Sequence, residues 1–356
     1  MFQKALWLQS YKQGKYFIWL FWITSFYTLS YKYYVDAAKS FHFSQTITEK
    51  VNYHYQYFLS PEDHLFIQGI VIIALACVLI GWERHNKTMD SLWSLPFKRR
   101  YIYLTKWLLG VLNIIAVYAI NWGLFAILKK TTFHDKYQLF SPFHSYFLYT
   151  VIVLIAIYTL TLFMGTITAN ILSQSIFTSI MLILPYGLAL LLAGFISVHL
   201  YGTHEKTYKI ENQYVSVSSH INILSPIEDL EIRFDYDPQS AYTDKNGKRL
   251  NEPNFSKIPS AWNLLSPIMY ILILLPLGTY LYTQSPNEQN GKLLLFSKLH
   301  KPFIACTVFC FALFGGRIIG GTQSIIGYYI GFGVIGLICY VVLSRLLKKR
   351  ISLGVK

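Results

Sequence analysis

The chain has 356 residues, 54% hydrophobic, 17% aromatic and only 13% charged, with a formal net charge of +14. Soluble domains carry about 25% charged residues, and here the apolar residues come in runs of roughly 20, the length that crosses a ~30 Å hydrocarbon core. The composition excludes a soluble domain, and the placement of the charge excludes a nucleic-acid binder. On the topology that follows, 17 basic and 3 acidic residues fall on one side of the membrane, while the other 14 basic and 14 acidic residues balance. That excess marks the cytoplasmic side and faces anionic headgroups.

The fold class is an all-α polytopic membrane protein of about eight transmembrane helices, with one extracytoplasmic segment of mixed or irregular structure. Residues 1–15 form a basic amphipathic segment, either an elbow helix on the inner leaflet or an anchor for the first span. Residues 16–200 hold spans 1 to 5. Span 1 is 16–34, retained rather than cleaved because no A-x-A site follows it. Residues 35–64 are polar and outside. Span 2 (65–82) returns inward to the loop 83–106, and span 3 (107–128) leads to a short outer loop. Spans 4 (147–169) and 5 (176–200) are joined by six residues, and Pro185 interrupts the hydrogen-bond ladder of span 5.

Residues 201–261 are the one sizeable segment outside the membrane. A strand-like alternation is faintly visible around 208–217, and Asp235 with Asp237 resembles the start of a calcium loop whose later ligands are missing. Residues 262–347 hold spans 6 to 8, with a second cytoplasmic loop at 283–302 and a tight hairpin between spans 7 (303–321) and 8 (325–347). Gly316 with Gly320, and Gly327 with Gly331, have the small-xxx-small spacing that lets helices approach closely. A basic tail, 348–356, ends the chain inside, so both termini are cytoplasmic. Cys77, Cys306, Cys310 and Cys339 all lie in apolar runs and form neither a disulfide framework nor a metal pair.

The loop 83–106 carries the most information. An acid, Glu83, stands at the membrane edge beside Arg84. Thr88 or Asp90 can cap a short helix, and Met89, Leu92, Trp93 and Pro96 follow i, i+3, i+4, i+7 spacing, so one face is apolar. Pro96 ends that helix, and Lys98, Arg99 and Arg100 follow. Such a helix suits a groove on a soluble partner or the headgroup interface alone. The second loop repeats the plan with Glu288, an apolar patch ending at Phe296, and Lys298 and Lys301.

Span interiors are almost free of ionisable residues, the usual mark of intramembrane chemistry. Arg317, near the outer end of span 7, is a candidate contact for an anionic substrate or headgroup, or it snorkels to the outer interface. The ten histidines are scattered, and there is no HExxH, no Walker A loop and no GxSxG. The chain therefore has no catalytic residues, no metal site and no cofactor site of its own.

The loop resembles the one after the second span of ABC-2-type exporter permeases, whose pattern is E-R-x-x-G-T-x-E-x-L-L-x-x-P-x-S-R. Glu83-Arg84, Thr88, Asp90, Leu92-Trp93, Leu95-Pro96 and Arg99 stand at its positions, with Lys87 in place of the glycine and Asp90 in place of the glutamate. The second loop and the span count resemble eight-span Gram-positive members, the Ytr-type exporter permeases. The resemblance implies a permease subunit, not an enzyme, that pairs with an identical or sister permease in a bacterial cell membrane. Cytoplasmic ABC ATPase subunits would bind the ATP and Mg²⁺, and the loop would dock on them through Met89, Leu92, Trp93 and Leu95. The substrate implied is amphipathic, a peptide antibiotic or lipid-linked molecule. The other reading is a sensor or resistance module that binds a peptide or lipid through 201–261 without transport.

Overall fold

The computed structural model describes residues 4–46, 53–86, 93–94, 96–199, 221–236, 255–286, 293–321 and 324–346. Helix α1 (Lys4–Phe26) passes through a π-helical turn (Tyr27–Tyr31) into α2 (Lys32–Thr46), one unbroken helical rod. The expected first span, 16–34, is the middle of that rod, and residues 4–15 are its first turns. The other expected spans are seven helices long and apolar enough to cross a membrane. They are α3 (Glu62–Cys77, extended by a π-helical turn, Val78–Trp82), α4 (Arg99–Thr131), α5 (Ser141–Ile167), α6 (Ile171–His199), α8 (Leu265–Gln284), α9 (His300–Gly320) and α10 (Ile325–Leu346). A single turn, α7 (Ser225–Glu228), follows between α6 and α8.

Helix α5 is the hub. Pro142 sits in its first turn, where a missing N–H is harmless. Nearly every residue from Tyr149 to Thr166 is buried, because α3, α4, α6 and α8 pack around it. Helix α4 has 33 residues, about 50 Å at 1.5 Å per residue, and overshoots the expected span at both ends. Asn170 starts α6, its Oδ1 accepting from the backbone N–H of Leu172 (2.7 Å) and Ser173 (3.1 Å). Helix α6 continues through Pro185.

Helices α9 and α10 pack against each other along their length. A Cβ on Gly315 would stand 2.7 Å from the Gly331 carbonyl oxygen, and one on Gly316 would stand 2.7 Å from the Tyr328 ring. Gly321 closes the hairpin at φ +56°, a conformation that glycine adopts without a Cβ clash.

At the end of the bundle opposite the 83–106 loop, β1 (Tyr55–Leu59) pairs antiparallel with β2 (Ile232–Tyr236), matching Tyr55 with Tyr236 and Leu59 with Ile232. Two segments expected as separate polar loops are thus joined, and the segment expected to be mixed or irregular contributes a strand. The alternation expected at 208–217 lies outside the described residues. Asp235 accepts from the guanidinium of Arg233 (3.1 Å) and meets the His54 ring. Burial raises the Asp235 carboxyl, and these two partners outweigh it, holding it below its ordinary value.

Tyr55, Tyr57 and Leu59 turn inward along β1, as a period of two requires, into an aromatic cluster. Tyr33 stacks on Phe125 (4.2 Å) and His134 (4.4 Å). The hydroxyls are satisfied in a closed circuit. Tyr33 donates to Gln138 Oε1 (2.6 Å), Gln138 Nε2 donates to the Tyr55 hydroxyl (2.6 Å), and that hydroxyl donates to His134 Nδ1 (2.6 Å). His134 Nε2–H donates to the Tyr33 carbonyl (3.1 Å), which fixes a neutral tautomer.

Burial outweighs that last bond and pulls His134 from its ordinary 6.5 down to about 4. Between those values the unfolded segment takes up a proton that the folded one refuses. Stability is therefore complete above pH 6.5 and is lost as pH falls toward 4, by on the order of 3 kcal/mol for the full shift. The protection factors of β1 amides, which correct for the pH dependence of intrinsic exchange, should fall across that window in the wild type and stay flat in His134→Gln. A flat wild-type profile would show that His134 is not held neutral.

Candidate functional site

The end of α3 that leads into the 83–106 loop carries the candidate site. The π-helical turn Val78–Trp82 widens the helix, and its carbonyls accept from side chains of other elements. Gln13 Nε2 donates to the Val78 carbonyl (2.7 Å), and Lys106 Nζ donates to the Leu79 carbonyl (2.5 Å). Lys106 also donates to Glu83, closing an ion pair between the two ends of the loop. Glu83 is 3% exposed and Lys106 1%, so solvent does not screen the pair.

Arg84 is equally buried. Its Nη1 donates to the Thr168 carbonyl (2.8 Å), in the connection between α5 and α6, while Nε and Nη2 have no hydrogen-bond partner among the described residues. The same connection receives the second loop: Leu294 bridges Thr168, and the Leu295 N–H donates to the Ile167 carbonyl (2.8 Å). Residues from both loops, far apart in sequence, meet on one short connection.

Gly81 lets α3 lie against the start of α6. A Cβ there would stand 2.8 Å from the Ile171 Cα and 2.6 Å from Gln174 Oε1. Gln174 threads into the gap and donates to the Thr161 (2.9 Å) and Ala76 (3.3 Å) carbonyls.

The far end of the loop is tied to a third helix. Arg99 Nη1 donates to the Thr283 (3.2 Å) and Ser285 (3.4 Å) carbonyls, at the C-terminus of α8, where the helix dipole favours a cation. Its guanidinium lies 3.7 Å over the Trp93 ring, which meets Tyr282 edge-on at 6.2 Å. Trp93 is half-buried in this stack, and Pro96 is exposed in the bend before α4.

Of the residues singled out in the sequence, Glu83, Arg84, Trp93 and Arg99 are brought onto the spans, and Pro96 lies beside them. Thr88, Met89, Asp90, Leu92, Leu95 and Glu288 lie outside the described residues. Phe296 is half-buried next to Leu294 and Leu295, and Lys301 is exposed in the first turn of α9. Arg317 sits apart from this site, half-buried against α6. Its Nη1 donates to the Leu190 carbonyl (2.6 Å), in space left by Gly194.

Lys106, Thr168, Gln174 and Gly81 were not singled out by sequence. Lys106 was counted only as one basic residue of the loop. The available signal was an acid and a base at the two ends of one short loop between two spans. Nothing local marks Thr168 or Gln174.

Residues 17–285 match the family described as "ABC-2 family transporter protein". The matched stretch contains the site from Val78 to Ser285, while Gln13 and the second-loop residues Leu294 and Leu295 lie outside it. Two proteins of Bacillus subtilis (strain 168) are similar over most of the chain. The probable ABC transporter permease YtrC is 25% identical over 285 residues, which cover 78% of this chain and 73% of its own length. The probable ABC transporter permease YtrD is 25% identical over 290 residues, covering 81% of this chain and 78% of its own. No solved structure matches.

Proposed function

We propose that this protein, which belongs to the ABC-2 family of transporter proteins, is the permease subunit of an ATP-driven exporter powered by separate ATPase subunits. It pairs with a second permease, identical or sister, in a bacterial cell membrane with both termini in the cytoplasm. ATP and Mg²⁺ bind on the ATPase, and the cargo is amphipathic, a peptide antibiotic or lipid-linked molecule. The two relatives carry the permease half of this reading in their names.

The observation that carries it is the way the 83–106 loop is bound to the spans. Glu83 with Lys106 joins α3 to α4, Arg84 joins α3 to the α5–α6 connection, and Arg99 joins α4 to α8. A loop held only by headgroups would transmit nothing. A loop fixed at three buried or half-buried points moves several helices together, which is what coupling to a distant ATP site requires. In this reading Met89, Leu92 and Leu95 meet the ATPase, and Trp93 is the hinge pin between docking helix and spans.

Affinity purification from the native membrane tests it. An ABC-type ATPase should co-purify with the wild type, and Leu92→Glu/Leu95→Glu, still folded, should retain less than about a tenth of it, as loss of two apolar anchors implies. ATPase retained by the variant moves the docking surface elsewhere. No ATPase with the wild type under gentle extraction ends the exporter reading.

A further inference from the structure

A groove runs down the lateral face of the bundle between α3 and α6, starting at the end opposite the 83–106 loop. It has a volume of about 620 Å³, and its walls are Phe66, Ile70, Ile73, Leu182 and Ile183, with Ser179 among them. Gly69 forms part of its floor, and a Cβ there would have no atom within 4 Å. From Glu62 to Ile73 the lining extends along α3 for about 16 Å at 1.5 Å per residue. That is half of a ~30 Å hydrocarbon core, so the groove has the depth of one leaflet.

Its mouth is not neutral. Glu62, in the first turn of α3, and Glu228, in α7, both line it, and among the described residues no lysine or arginine does. Lys32, across from the next residue of α3, is already paired with Asp63 (3.0 Å), and Glu228 holds its carboxylate in place by accepting from Asn222 Nδ2 (3.2 Å). Two carboxylates above an apolar channel of leaflet depth disfavour an anionic headgroup and complement a cationic one.

We propose that the α3–α6 groove binds single-chain cationic amphiphiles, the alkyl chain lying along Phe66, Ile70 and Ile73 and the cationic head between Glu62 and Glu228. The binding stands without the exporter reading; only its role as a cargo site rests on it.

The test uses the full chain in phosphatidylcholine nanodiscs and three nitroxide-labelled 16-carbon probes, a quaternary ammonium, a sulfate and a neutral alcohol. Spin-label spectra report the motionally restricted fraction of each. The ammonium should be restricted about tenfold more tightly than the other two, as two partly exposed charge contacts allow. Glu62→Gln/Glu228→Gln should abolish that preference while leaving the neutral probe unchanged. Gly69→Phe, which grows into open space, should release the ammonium with both carboxylates intact, and it serves if the double variant does not fold.

Three results overturn the proposal. One is equal restriction of all three probes, which is ordinary boundary lipid. Another is a cation preference that survives both variants. The third is exclusion of every probe because a second copy of the chain covers the groove. An ATPase pull-down on the same sample separates the two readings. Cation preference without a co-purifying ATPase upholds the groove and removes only the exporter.

Discussion

Lys106→Ala is expected to destabilise the folded protein by about 3–5 kcal/mol, the cost of removing the opposite charge from a buried carboxylate. Glu83 would remain 3% exposed, with the ammonium that faces it removed. Glu83→Gln is expected to cost less, because Lys106 keeps the Leu79 carbonyl and an amide oxygen in place of the carboxylate. The double variant Glu83→Gln/Lys106→Met should recover most of the loss, since a neutral, well-packed pair avoids the desolvation of two charges. Thermal unfolding midpoints in detergent would read all three. A single Lys106→Ala variant as stable as wild type would show that the pair is solvated in the membrane.

The double variant is also the informative one for function. It removes the tie between α3 and α4 without removing the fold, so the exporter reading expects an ATPase that still binds but no longer drives transport. Arg84 and Arg99 would still hold the loop to the α5–α6 connection and to α8. Loss of coupling with retained binding would place the transmission at Glu83–Lys106. Unchanged coupling would place it at the arginines.

The sequence reveals what depends on local composition and hides what depends on distant pairing. Helix positions follow from apolar runs, because a span needs about 20 predominantly apolar residues in sequence. Their lengths do not: α4 extends from Arg99 to Thr131, carrying its helical ladder past the apolar run into basic residues at both ends. The α9–α10 contact was legible in the spacing of Gly316, Gly320, Gly327 and Gly331. The pairing of β1 with β2 was not, because turn chemistry marks hairpins and these strands have no turn between them. At the site, Glu83, Arg84 and Arg99 stood out through the family pattern. That they point into the bundle rather than to headgroups follows from acceptors at Thr168, Thr283 and Ser285, which no periodicity announces.

Gly331→Ala should separate α9 from α10. The added Cβ would overlap the Gly315 carbonyl oxygen and stand 2.9 Å from both the Gly315 carbonyl carbon and the Ile319 Cβ. The nearest of these atoms is backbone, so no rotamer change relieves the clash and the helices themselves must move apart. Overpacking of this kind costs about 1–3 kcal/mol and occasionally more. Gly333→Ala, two residues along the same helix, meets nothing within 4 Å and should hold stability or raise it by up to about 1 kcal/mol through helix propensity. The comparison isolates the contact from any change in helix propensity. Displacing α9 would also pull Arg317 from the Leu190 carbonyl, loosening the grip of the hairpin on α6. The midpoint of Gly331→Ala should therefore fall together with protection of the α6 amides around Leu190. A lower midpoint with those amides still protected would mean that α9 stays on α6 and α10 alone has moved.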